Sequence, residues 1–256
     1  MDVAESEAKV RNLMPMHDAL TAAIVAAAPK PADDSAREVK KNYSERLSNA
    51  FARALATELR LVGVSDCAPM VREDGASYGA ERRLAGGIGA KKVDVSWATD
   101  TSGLILAASI KTISFPDART RNYQKNLANR RGDMLFEAVT LHRRFPFAVM
   151  GGFFFFDIGA ANDGTDRRPS TLENAHDMLR LFTGRPDPAA REEQLERLFV
   201  ITYDATPGSE SIELHEAGQL DGSAIDADQA VASLLQLVAD RNSDFYDYRS
   251  GALVPR

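Results

Sequence analysis

The chain reads as an α/β fold, and three stretches predict it. Residues 35–60 carry apolar side chains at helical spacing. Residues 91–115 form two short apolar segments around a polar turn at Asp100–Gly103, the pattern of a β-hairpin. Residues 147–156 are an apolar run without alternation, which fits a strand covered on both faces. With a helical segment between the second and third, the order is helix, hairpin, helix, buried strand. At 256 residues, 44% hydrophobic and 27% charged, the chain suits one large domain or one domain with extensions.

The elements follow in order. Residues 1–28 are alanine-rich and predict one or two helices, broken by Pro29, Pro31 and Asp33-Asp34. Residues 1–34 thus form a helical arm, for packing or a dimer contact. Ser35-Ala-Arg-Glu38 has capping-box form and opens a helix to about Arg60. Its stripe is Val39, Tyr43, Leu47, Phe51, Ala54 and Leu55; Glu45 projects away from the stripe's centre, whereas Glu58 falls within it. Residues 63–90 are irregular and glycine-rich, either a mobile loop or a backbone cradle for phosphate, but the P-loop pattern is absent. A helix is expected from Asp117 to about Arg143, with Leu127, Leu135, Ala138, Val139 and Leu141 inward and a kink at Gly132. Beyond a loop at 158–170 come a helix over Thr171–Thr183 with His176 at the surface, a turn, and a helix ending near Arg197. Strands at Leu198–Tyr203 and Ser211–His215 and a helix capped by Asp226 complete a domain spanning 35–250. His215 has no second histidine at ligand spacing and reads as structural. Leu253-Val-Pro-Arg256 reads as a tag remnant, so residues 251–256 are set apart.

The hairpin carries the chemistry. Side chains alternate along a strand, so Val93, Val95 and Trp97 share one face and Asp94 projects from the other. Ser109 and Lys111 point the same way on the second strand. An acid on one strand and a lysine on the next resemble the PD-(D/E)xK nuclease superfamily, over roughly residues 35–157. Asp94 matches the first acid and Lys111 the lysine. Ser109 stands where the second acid belongs, as in restriction enzymes that cut around CCGG cores and recruit an acid from a later helix. The resemblance implies a restriction-endonuclease-like α/β/α sandwich around a central mixed sheet. It also implies a Mg²⁺-dependent DNA endonuclease of restriction or phage-defence type. Asp94 and the carbonyl of Ile110 would hold the metal, Glu45 or Glu137 would complete the site, and Lys111 would orient or deprotonate water or hold phosphate. Ser109 would bind a metal-bound water.

Charge distribution bears on the partner. The net charge of −6 argues against nonspecific coating of nucleic acid. Between Lys111 and Arg144, however, eight Lys or Arg face three acids. Arg119, Arg121, Lys125, Asn126, Arg130 and Arg131 have the chemistry of phosphate and base-edge contact with double-stranded DNA; the alternative is a solvated helix face. Two other readings stay open: a DNA-binding module that has lost cleavage, and an unrelated α/β protein with a buried Asp94–Lys111 pair. Cys67 is the single cysteine, so there is neither a disulfide framework nor a cysteine zinc cluster. No apolar run is long enough to span a bilayer, and a cytoplasmic homodimer is expected.

Overall fold

The computed structural model describes residues 15–27, 29–71, 77–78, 82–220 and 222–256. Its centre is a mixed sheet of five strands, β5 (Val95–Thr99), β6 (Gly103–Ile113), β7 (Val149–Asp157), β8 (Arg197–Asp204) and β9 (Ser211–Glu216), adjacent in that order. Strands β6, β7 and β8 run parallel, and β5 and β9 are antiparallel edges. Preceding the sheet are α1 (Met16–Ala26), α2 (Arg37–Leu61) and four short strands, β1 (Met70–Val71), β2 (Ser77–Tyr78), β3 (Arg82–Ala85) and β4 (Ala90–Val93). The crossover from β6 to β7 contains α3 (Gln124–His142), and that from β7 to β8 contains α4 (Thr171–Leu179). After β9 come α5 (Ala227–Arg241) and a hairpin of β10 (Tyr246–Arg249) and β11 (Ala252–Pro255).

Burial divides the core between the two sheet faces. Tyr43, Leu47, Phe51 and Leu55 of α2 join α1 and α5 against Ile110, Phe153, Phe155 and Ile201. Met134, Ala138 and Leu141 of α3 join α4 against Ala107, Phe154, Phe156 and Val200. Consecutive phenylalanines of β7 therefore enter opposite cores, which is why that strand shows no polar alternation. Phe51 stacks on Phe155 at a centroid distance of 3.8 Å. Two glycines let both helix layers approach the same strand: a Cβ on Gly151 would lie 2.8 Å from Leu234 of α5, and one on Gly152 would lie 2.9 Å from Met134 of α3. Among the described residues, no helix is long and apolar enough to cross a membrane.

Several expectations are corrected. The Ser35–Glu38 capping box does not form: α2 starts one residue beyond Ala36 without a side-chain cap, and Val39 is exposed. A capping box does form at Ser170 and Glu173, opening α4. The expected irregular stretch includes the β3–β4 hairpin, with Gly86–Gly89 as its turn. The Gly86 amide donates to the Gly89 carbonyl and the Gly87 amide to the Thr140 carbonyl, so neither is offered to phosphate; Gly75 and Gly79 lie outside the described residues.

The helix expected from Asp117 begins only at Gln124. Asp117 accepts from the amides of Arg119 and Thr120, and Arg121 takes a positive φ of 56°, so the chain turns before the helix starts. Gly132 lies within an uninterrupted α3. The segment before β8, expected to be helical, instead buries Arg185 and Glu196. His176, expected at the surface, is 3% exposed. At both ends, segments expected to stand apart join the core. Met16, Leu20 and Ile24 of α1 are buried, while residues 1–14 lie outside the described residues. Leu253 is also buried, and its amide donates to the Val62 carbonyl.

Candidate active site

Asp94 occupies the joint between β4 and β5, where strand geometry is interrupted. Simple parity fails across that joint: Val93 packs in the α3-side core, whereas Val95 and Trp97 pack in the α2-side core. Asp94 nevertheless reaches β6. Its Oδ2 accepts the Ile110 amide at 2.7 Å and lies 4.0 Å from the Lys111 ammonium. This is the edge of the sheet where β5 ends its pairing with β6 at Val95 and Ala108, leaving the next residues of β6 open to side-chain partners.

Glu137 of α3 completes the cluster. Lys111 Nζ donates to Glu137 Oε1 at 3.0 Å and Oε2 at 3.2 Å. Ser109 Oγ donates to Glu137 Oε2 at 2.5 Å. The crossover topology explains the meeting: α3 packs over the β6 face that carries residues 107, 109, 111 and 113, and Glu137 lies next to the buried Ala138 and one turn from the buried Met134 and Leu141. Ser109 is fully buried and does not line the cleft, so it sits behind Glu137 rather than beside a ligand. It cannot serve as an exposed nucleophile; its hydroxyl orients the carboxylate.

Asp94, Lys111 and Glu137 open onto a cleft of about 1210 Å³. Its lining contains eight Lys or Arg and five Asp or Glu, in a chain whose net charge is −6. Glu45 lines the same cleft from α2, but its side chain is 60% exposed and lies 3.7 Å from Lys41, apart from the Lys111 cluster. The Ile110 amide is directed at Asp94, and Ile110 also lines the cleft. Among the described residues, no three His, Cys, Asp or Glu side chains converge to hold a metal. The carboxylates beside Lys111 are those of Asp94 and Glu137. That set fits Mg²⁺, which binds through one or two carboxylates and keeps several waters or substrate oxygens; it does not fit a closed all-protein cage.

The candidate DNA-contacting residues divide. Lys125, Asn126 and Arg130 line the cleft. Lys125 pairs with Asp117 at 2.5 Å, and this hydrogen bond, with that of the Thr120 amide, holds the Asp117 carboxyl well below its usual range. Arg119 and Arg121 are exposed on the turn before α3 and do not line the cleft. Arg131 is half-buried with its guanidinium 5.9 Å from the Phe182 ring, so α3 turns it away from Arg130.

A second charged cluster escaped the sequence reading. Glu196 is fully buried; its Oε1 accepts from Arg185 at 3.0 Å and Arg241 at 2.5 Å, and its Oε2 accepts the Met150 amide at 2.7 Å. The His142 ring lies 3.3 Å away. Burial alone would raise the Glu196 pKa, but His142, Arg241 and the Met150 amide together hold it at about 2. These residues are spread from His142 to Arg241 over several elements, and no spacing signal joins them. Compared with protein-family models, curated proteins and solved structures, the chain finds no match.

Proposed function

We propose that the protein is a Mg²⁺-dependent endonuclease acting on double-stranded DNA, of restriction or phage-defence type, with a restriction-endonuclease-like fold. The observation that carries this reading is the convergence of Asp94, Lys111 and Glu137 in a cation-rich cleft. Phosphodiester hydrolysis adds water to phosphorus and expels an alkoxide, so it needs a positioned water and positive charge around the phosphate. When bound, Mg²⁺ would neutralise charge and lower the pKa of its water, with Asp94 and Glu137 as its protein ligands. Lys111 is held by both carboxylates and has three N–H donors. Its ammonium orients water or a phosphate oxygen at the cleft surface. Ser109 fixes the Glu137 carboxylate, which explains how a serine stands at the expected position of an acid.

One observation favours a second reading, a DNA-binding protein that does not cut: Glu137 is already engaged by Lys111 and Ser109, leaving fewer lone pairs for a metal. Supercoiled plasmid separates the two. Nicking or linearisation in Mg²⁺, absent in EDTA, supports the endonuclease. A gel shift in Ca²⁺ without cleavage in Mg²⁺ supports the binding protein. Neither a shift nor cleavage with any duplex removes both. As a nuclease it would act as a two-fold homodimer that presents one site to each strand; light scattering that gives a monomer with and without DNA contradicts that arrangement.

A further inference from the structure

We propose that the amino-terminal half of α2 is a second phosphate-gripping wall, so that DNA is held between α2 and α3 rather than by α3 alone. This rests on the proposed DNA-cleaving function and adds a binding surface to it. Arg37, Lys40, Lys41, Ser44, Ser48 and Asn49 all line the cleft, across from Lys125, Asn126 and Arg130 of α3.

Their arrangement follows helix geometry. Positions 37, 41, 44 and 48 recur at helical spacing on one side of α2, while Tyr43 and Leu47 face the core. From Arg37 to Asn49 the wall extends about 18 Å at 1.5 Å per residue. That matches roughly five nucleotide steps of one B-form strand. The cleft-lining residues of the wall include three cations and a single acid, Glu45, which is exposed and pairs with Lys41 at 3.7 Å. An exposed pair of this kind contributes little, so it leaves Lys41 available to phosphate.

The remaining contacts suit the same partner. Lys40 Nζ is hydrogen bonded to the Asp33 carbonyl at 2.9 Å and lies 5.6 Å from the Phe115 ring, which steadies a long side chain at the cleft mouth without neutralising it. Ser44, Ser48 and Asn49 are short polar side chains of the kind that contact phosphate oxygens beside Arg and Lys. A large open cleft with cations on two walls, and polar rather than apolar side chains between them, suits a polyanionic backbone better than an apolar small molecule.

The test uses the full chain with Arg37, Lys40 and Lys41 all changed to Gln. Binding to a fluorescent duplex of about 20 base pairs is measured by anisotropy in Ca²⁺ across a salt series, with a Lys125→Gln/Arg130→Gln variant alongside. Each lost phosphate contact should lower the slope of log K against log salt by about 0.9. The α2 variant should therefore lose about 2–3 units of slope and at least tenfold in affinity at low salt. Circular dichroism checks its fold, and a charge-retaining variant of the same three positions, R37K/K40R/K41R, should keep the wild-type slope. If the wild type binds but the α2 variant keeps its affinity and slope, the second wall is overturned while the DNA-cleaving function stands. If the charge-retaining variant falls as far as the Gln variant, the loss is not one of phosphate contact and the wall is again overturned. If the wild type binds no duplex at any salt, both fail together.

Discussion

At the scale of single residues, the cleft and the core impose opposite demands on polar groups. Ser109 and Glu137 share a buried 2.5 Å hydrogen bond. Removing the hydroxyl leaves a carboxylate oxygen short of a donor, which costs about 1–3 kcal/mol when the group is buried. Ser109→Ala should therefore lower the denaturation midpoint and slow cleavage, whereas Ser109→Thr, which keeps a hydroxyl, should retain more of both. His176 shows the opposite demand. Burial, and then the nearby His215, lower its pKa to about 4. The unfolded chain takes up its proton near the ordinary value of about 6.5, while the folded chain resists until about 4. Stability should thus be complete above pH 6.5 and fall as pH drops from 6.5 to 4, by on the order of 2–3 kcal/mol. Thermal denaturation across that window measures it, and His176→Gln should flatten the slope. Ser109 and Lys111 were legible because strand alternation is a strong local rule, whereas Asp94 sits at a joint where that rule fails. His176 was not, because only the tertiary meeting of α4 with β9 decides its burial.

At the scale of elements, the long apolar patterns were legible and the joints between them were not. The α2 stripe and the β7 run announce themselves through many side chains at once. The start of α3 depends instead on one carboxylate: Asp117 captures the amides of Arg119 and Thr120 and delays the helix. At Asp94 the strand is interrupted as well, and there the carboxylate takes the amide of Ile110 on the neighbouring strand. Glu137 was a candidate because the resemblance implies an acid from a later helix, but its distance along the chain obscured its pairing with Lys111, which the β6–α3–β7 crossover brings about. Helix approach on both faces of β7 relies on missing Cβ atoms. Gly152→Ala would place a Cβ 2.9 Å from Met134 and 3.1 Å from Leu195 and Leu198. It should destabilise the fold by about 1–3 kcal/mol through overpacking, read as a lower urea midpoint with an unchanged denaturant slope.

At the scale of the molecule, two polar clusters sit in the same framework with different tasks. Glu196 binds Arg185, Arg241 of α5 and the β7 amide of Met150, with His142 of α3 beside it, so one carboxylate ties both helix layers to the sheet. Its depressed pKa means that this contribution is complete above the unfolded carboxyl value and is lost as pH falls from about 4.5 toward 2. Glu196→Gln should cost about 3–5 kcal/mol, since Arg185 and Arg241 would be left buried without their counter-charge, and should make acid unfolding less steep. The other cluster is nearly as enclosed at Lys111 and Glu137, but Asp94, Lys111 and Glu137 all line the cleft, where a ligand can reach them. Cleavage of plasmid DNA in Mg²⁺ by Asp94→Asn, Lys111→Ala and Glu137→Gln, beside the wild type, tests most directly whether these three residues cut DNA. The proposed function predicts that each variant keeps its fold and binds duplex in Ca²⁺ but cuts at least a hundredfold more slowly, with Mg²⁺ affinity reduced for Asp94→Asn and Glu137→Gln and changed less for Lys111→Ala. Wild-type cutting rates in Lys111→Ala or Glu137→Gln, or no cutting by the unaltered protein, would contradict it.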